Sequence, residues 1–288
     1  MDTITIGGVP EHFNLPWHLA IENGNFKKKG VDLKWKEFPG GTGAMCTALR
    51  DGSIDMAIIL SEGIIKDIID GNKSKIVKVY VQSPLLWGIH VGAKSKFKTI
   101  SDLENATIAI SRHGSGSQLM AKVNAHSNGF DIDSLQYKVV KDLDGGIQAL
   151  TNGSADYFMW EHFTTKPYVD NKIFRRIDSI TTPWPCFVIA VRDDVLEQQN
   201  DAIKTIIKVL NKQLTSFKDP IKNKELIQLF SKRYHQKTAD IKDWLSITEW
   251  NQKKSISNKL INSIQNKLVQ FNVIEHTLHH NKLIKKVF

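Results

Sequence analysis

Ala48-Leu49-Arg50-Asp51-Gly52-Ser53-Ile54-Asp55 and Ala149-Leu150-Thr151-Asn152-Gly153-Ser154-Ala155-Asp156 are two copies of one phrase. In both, a helix ends at Leu and a glycine supplies the left-handed residue that closes it. A Ser then leads to an Asp at the start of a strand. The phrase describes one helix-turn-strand unit used twice, and two structurally equivalent lobes produce such an echo. Several positions align without a gap, and each copy runs into an apolar strand of similar length, Ile54 to Leu60 and Ala155 to Trp160.

The same alternation extends outward from both copies. Before the first, Thr3 to Ile6 reads as a strand, Leu15 to Lys28 as a helix closed by Gly30, Val31 to Phe38 as a strand and Gly43 to Arg50 as a helix. After it come a helix from Ser61 to Asp70 closed by Gly71, and strands Ile76 to Val81 and Leu86 to Val91. A second series begins at Ser101-Asp102-Leu103-Glu104, which has capping-box spacing. It continues through the strand Thr107 to Ile110, the helix Ser115 to Asn128 with Gly129 after it, Gln136 to Val140, Gly145 to Asn152, His162 to Asp170 and the strand Phe187 to Val191. This pattern predicts an α/β fold with mainly parallel sheets.

From residue 194 the character changes. Ile203, Ile206, Ile207, Leu210, Leu214 and Phe217 recur at helical spacing, as do Ile256, Leu260, Ile264 and Leu268. The last third is therefore expected as amphipathic helices covering a sheet. The 288 residues suffice for two lobes with real cores, and 41% hydrophobic with 24% charged residues is a globular composition. The longest apolar run, Met56 to Leu60, is too short to cross a bilayer. Met1 is followed directly by Asp2 and a strand, so the sequence as given is expected to be cytoplasmic without a signal peptide, and periplasmic or lipid-anchored if a leader was removed. The net charge of +9 is spread along the chain without a run of five basic residues, which argues against nucleic acid. Cys46 and Cys186 form no metal spacing and read as buried free thiols, with a long-range disulfide as the alternative.

In open α/β sheets ligands bind beyond the carboxyl ends of the strands, where helices begin. Two such places share a chemistry. Pro39-Gly40-Gly41-Thr42-Gly43-Ala44 allows close backbone approach, with Thr42 as the expected helix cap, and its amides and helix dipole attract an anion. Ser111-Arg112-His113-Gly114-Ser115-Gly116-Ser117 does the same in the second series, with Ser115 and Gln118 at capping-box spacing. Neither has the P-loop pattern. Ser61-Glu62, Ser83 and Trp160-Glu161 stand at other strand ends, and either acid, facing inward, favours a cationic group on a ligand; both also suit the first turn of a helix. Trp17, Trp87, Trp160 and Trp184 lie near strand ends, where rings stack on planar ligands or fill a core. His12, His90, His113 and His162 fall near the expected cleft without nucleophile spacing, and His276, His279 and His280 have a spacing that holds a metal on a helix.

Gly8-Val9-Pro10, Asn14-Leu15-Pro16-Trp17-His18-Leu19-Ala20, Gly24-Asn25-Phe26 and Gly30-Val31 together resemble the start of the ABC-transporter substrate-binding proteins for aliphatic sulfonates, taurine, nitrate and thiamine-pyrimidine precursors. The glycine-rich loop Gly40 to Gly43, the passage Leu49 to Ile58, Trp160-Glu161 and Trp184-Pro185 continue the resemblance, which covers roughly residues 3 to 215. It implies a two-lobed type II periplasmic-binding-protein fold with two hinge crossings, near Leu85 to His90 and Pro183 to Val191, and a helical C-terminal part. Lobe 1 is then 1–86 with 190–288, and lobe 2 is 87–189. It places His12, Phe13, Asn14, Gly41, Thr42, Gly43, Ser61, Glu62, Ser83, Ser115, Gly116, Ser117, Trp160 and Glu161 on an interlobe cleft.

The expected function is binding of a small anionic or zwitterionic molecule of sulfonate, carboxylate or pyrimidine-precursor type by hinge closure. The expected protein is a monomer without cofactor or metal, partnered by an ABC-type permease. The alternative is a cytoplasmic enzyme of lyase or biosynthetic type on the same scaffold, using His12, another cleft histidine or Glu161 as acid or base. The chain lacks the cysteine-rich motif of the thiamine-pyrimidine synthases and has no close match to the menaquinone-pathway enzymes of this fold.

Overall fold

The computed structural model describes residues 2–253 and 256–288. The chain forms two compact units: Met1–Ser83 with Trp184–Val269 and Ile274–Phe288, and Pro84–Pro183 with Gln270–Val273.

The first unit opens with β1 (Asp2–Gly8), α1 (Leu15–Glu22), β2 (Val31–Glu37), α2 (Gly41–Arg50), β3 (Met56–Leu60), α3 (Ser61–Ile69) and β4 (Ser74–Val81). The second contains β5 (Leu86–Gly92), β6 (Thr107–Ile110), α4 (Gly116–Ser127), β7 (Gln136–Val139), α5 (Leu143–Asn152), β8 (Tyr157–Glu161), α6 (Lys166–Asp170) and β9 (Phe174–Thr181). The chain returns to the first unit through β10 (Phe187–Arg192), then α7 (Asp193–Gln198), α8 (Asn200–Leu214), α9 (Lys224–Tyr234), α10 (Thr238–Ile247) and α11 (Asn258–Gln270).

Each unit holds a five-stranded sheet, ordered β2-β1-β3-β10-β4 in the first and β7-β6-β8-β5-β9 in the second. Four strands of each run one way. The reversed strand is β10 in the first sheet and β5 in the second, each antiparallel to both neighbours. Each reversed strand is the first one made after a crossing between units, β5 on entering the second and β10 on returning to the first.

The repeated phrase is a repeated structure. Gly52 and Gly153 take the left-handed conformation at φ 77° and 74°. The Asp51 and Asn152 side chains accept the Ser53 and Ser154 amides at 2.8 and 2.9 Å. The Asp55 carboxylate then accepts Thr5 N–H on β1 at 2.7 Å, while Asp55 N–H donates to Thr5 O at 2.9 Å. Asp156 makes the same two bonds to Thr107 on β6, both at 2.8 Å. The acid closes a short ring with the adjacent strand and fixes where pairing starts.

α8 buries Ile203, Ile206, Ile207, Leu210 and Leu214, the predicted stripe. In α11 the stripe is Ile261, Ile264 and Leu268; Leu260 is half-buried, and Ile256 precedes the helix. The open edge of β4 is blunted by bridges from Ile284 and Trp250. Lys78 on β4 is almost fully buried and donates to Asn251 O at 2.7 Å and Lys253 O at 2.6 Å. Cys46 and Cys186 are buried thiols that are not joined in a disulfide.

Several expectations need correction. α1 stops at Glu22, because Gly24 at φ 65° turns the chain and buries Phe26 against Trp17, where a helix to Lys28 was expected. Thr42 does not cap α2: Gly40 is the N-cap, and Thr42 lies inside the first turn. The capping box before β6 belongs to Thr99 with Asp102, two residues earlier than Ser101. Only Lys166–Asp170 of the stretch 162–170 is helical. β9 carries no sequence expectation at all. Among the described residues no helix is long and apolar enough to cross a membrane.

Candidate functional site

In the first unit the loops that follow β1, β2 and β3 leave three adjacent strands on the same side of the sheet. After β1, Gly8 lies against the Trp35 ring with no room for a Cβ. Residues His12–Asn14 then make a single 3-10 turn, all three buried. Phe13 O accepts both Tyr80 Oη at 2.7 Å and Trp250 Nε1 at 3.1 Å, and Asn14 Nδ2 donates to Val9 O at 2.9 Å. The His12 ring lies 4.0 Å from the Trp244 ring and 5.9 Å from Tyr234, so α9 and α10 wall the loop. Burial lowers the His12 pKa to about 3, and His12 Nε2 and Asn14 Oδ1 have no partner within the protein.

After β2, Gly41 at φ 68° starts α2, with Thr42 and Gly43 behind it. After β3, Ser61 and Glu62 start α3. The two helix starts touch: a Cβ on Gly63 would overlap the Thr42 methyl, so glycine there permits their approach. Ser61 Oγ donates to Pro185 O at 2.6 Å and Ser61 N–H to Cys186 O at 3.0 Å, tying α3 to the entry of β10. Glu62 is 2% exposed; its Oε2 accepts Trp184 Nε1–H at 2.8 Å, and its Oε1 has no partner. Burial pushes its pKa up to about 7, against the opposing hydrogen bonds from its own amide and Trp184. Ser83 follows β4 and ties segments together, its hydroxyl accepting Glu249 N–H at 3.1 Å and its carbonyl accepting Cys186 N–H at 3.1 Å.

The second unit repeats the plan at the ends of β6 and β8. Ser115 caps α4 by accepting Gln118 N–H, and Gln118 reaches back to Gly114 N–H at 2.7 Å. Ser117 Oγ accepts Ser111 N–H at 2.9 Å and lies 3.0 Å from Ser115 Oγ, giving three buried hydroxyls with Gly116 between them. At the end of β8, Trp160 stacks on Phe158 at 5.2 Å. Glu161, beside it, is buried, accepts Thr164 N–H at 2.6 Å, and has its pKa raised by burial to about 7.

Arg176 on β9 gathers the histidines of this unit. It donates from Nε to His90 Nε2 at 3.3 Å and from Nη1 to His162 Nε2 at 2.6 Å. Both rings then carry their proton on Nδ1, donated to Phe158 O and Ser179 Oγ. Burial, with Arg176 second, lowers His90 to about 3 and His162 to about 4, so both are weak bases at neutral pH. His113 is exposed, and Trp17 is a core residue against Phe26 and Tyr80. His276 and His279 lie outside any helix, so the trio lacks the expected helical spacing; among the described residues no group of metal-ligating side chains is assembled.

Sequence reasoning missed four side chains: Trp184 as the partner of Glu62, Tyr234 and Trp244 beside His12, and Arg176 between two histidines. The only sequence signal was the position of Trp184 next to a strand, since the others come from helices and an edge strand far along the chain.

The model of the Ca3427-like periplasmic binding proteins matches residues 87–180. No curated protein matches the chain. Among solved structures, the CA3427 gene product of Candida albicans, described as defining a new family with the generic periplasmic-binding-protein fold, superposes with a TM-score of 0.90 at 28% identity, covering 99% of this chain and 97% of that one. The alkanesulfonate-binding protein SsuA of Xanthomonas axonopodis pv. citri gives 0.81 at 14% identity, covering 99% of each chain. The nitrate-binding protein NrtA of Synechocystis PCC 6803 gives 0.72 at 16%, covering 99% of this chain and 86% of that one. The chain has the two-lobed, type II periplasmic-binding-protein fold.

Proposed function

We propose that the protein binds a small anionic or zwitterionic organic molecule of sulfonate, carboxylate or pyrimidine-precursor type, taken up by both units as they close on it. The observation that carries this reading is the doubled plan. Each unit follows one strand with a glycine- or serine-rich helix start, Gly41–Gly43 in one and Ser115–Ser117 in the other, and carries a buried carboxyl, Glu62 or Glu161, at the end of another strand of the same sheet. Helix starts of this kind favour an anionic group through their amides and dipole. Similar structures point the same way: SsuA is described bound to MOPS, and NrtA as nitrate-binding. On this reading His12, Phe13, Asn14, Thr42, Glu62, Trp160 and Glu161 line the ligand. Ser61 and Ser83, whose hydroxyls hold backbone, support it from behind. A membrane permease of ABC type is the partner that such a binder serves.

A thermal-shift screen of sulfonates, carboxylates, amino acids and aminopyrimidines tests the proposal. A true ligand at about a hundred times its Kd adds roughly 2.7 kcal/mol and raises the melting temperature by several degrees. A flat response to every class refutes it.

A further inference from the structure

Three polar atoms at the strand ends of the first unit are buried and unfilled: Glu62 Oε1, His12 Nε2 and Asn14 Oδ1, on residues 2%, 1% and 0% exposed. They stand on the loops after β1 and β3, strands that pair directly at Ile6↔Met56 and Gly7↔Ala57. The start of β10 links the two loops, since the Phe187 ring meets Phe13 at 5.1 Å and Cys186 O holds the Ser61 amide. An amide oxygen such as Asn14 Oδ1 only accepts hydrogen bonds, and the Glu62 carboxyl does likewise once a cationic guest draws it into its ionised form. Among the described residues Glu62 has no ion pair, and its one side-chain donor is Trp184 Nε1 on the other oxygen. A buried acid without an internal cation, on a loop at the same end of the sheet as the unfilled Asn14 Oδ1, calls for a guest that brings N–H donors. The starts of α2 and α3, held in contact through Gly63 and Thr42, supply the complementary pull for an anion.

We propose that Glu62 makes this a site for amino-bearing ligands: a protonated amine or amino-substituted ring donates N–H to Glu62 Oε1 while the ligand's anionic group rests against the starts of α2 and α3. This rests on the binding reading above and narrows it from anions in general to aminosulfonates, amino acids and aminopyrimidines. Glu62 acts as a specificity residue, and Trp184 orients it.

Isothermal titration of the full chain with matched pairs tests this: 2-aminoethanesulfonate against ethanesulfonate, 4-aminobutanoate against butanoate, and 4-aminopyrimidine against pyrimidine. In the wild type the amino member of any pair that binds is expected to be tighter by about tenfold or more, the range of a charge-assisted hydrogen bond. Glu62→Gln should cut that preference to about threefold or less, read as the ratio within each pair measured on the same variant. Equal affinities within a pair in the wild type overturn the assignment, as does a preference that survives Glu62→Gln. Binding by none of the six overturns the underlying binding reading, and the assignment with it. If Glu62→Gln does not fold, the wild-type pairs alone decide.

Discussion

Replacing Asp55 by Ala removes the carboxylate that receives the Thr5 amide at 2.7 Å and leaves that N–H at the join of β1 and β3 without its acceptor. A hydrogen bond to a charged group contributes about 1.5–3 kcal/mol, and loss of its acceptor strands the donor, so a cost of about 2–3 kcal/mol is expected. Arg192 lies 3.8 Å from the same carboxylate on a partly exposed surface and adds little. Asp156→Ala, which strands Thr107 N–H in the second unit, should cost about the same. Asp201, paired with the surface Lys204, provides a control expected at about 0.5 kcal/mol or less. Urea unfolding followed by circular dichroism measures the losses. Hydrogen exchange localises them, to β1 and β3 for Asp55→Ala and to β6 and β8 for Asp156→Ala. If either variant costs no more than Asp201→Ala, or if both loosen the same unit, then the repeated phrase is not a repeated structural device.

Gly63→Ala should destabilise the first unit by about 1–3 kcal/mol, because its methyl overlaps that of Thr42; Thr42→Ser, which removes the opposing methyl, should recover most of the loss in a denaturation measurement. His90, held near pKa 3 against 6.5 when unfolded, binds fewer protons folded than unfolded between those values, so its contribution is lost as pH falls below 6.5, by about 2–3 kcal/mol at pH 4.5. Glu62 and Glu161, raised to about 7, act in the opposite sense from pH 7 down to 4.5; the check is therefore the difference between wild type and His90→Gln, which should shrink as pH falls from 6.5 to 4.5, and a constant difference contradicts it.

The sequence revealed most where backbone chemistry is local. The glycine turns at 52 and 153 and the Asp residues three positions later mark both units, because the left-handed closure and the strand-to-strand ring are made by those residues themselves. The end of α1 was misread because a lysine-rich, helix-compatible stretch hides the turn at Gly24. β9 went unseen because it is an edge strand whose Phe174 alone is fully buried, and Arg175, Arg176 and Asp178 obscure its alternation. The candidate site can be read from the sequence as strand ends and helix starts, but the side-chain pairings around it cannot. Glu62 takes its side-chain donor from Trp184, 122 residues further on, and His12 is enclosed by Trp244 from the last third of the chain. Periodicity carries no information about such pairs.

The most direct test is amide chemical-shift mapping by NMR as an amino-bearing ligand from the thermal-shift screen is titrated in. Saturable shifts at Thr42, Gly43 and Gly63 in the first unit, together with Gly116 and Ser117 in the second, are the predicted result. Shifts confined to one unit, or falling away from both sets of helix starts, would contradict the account.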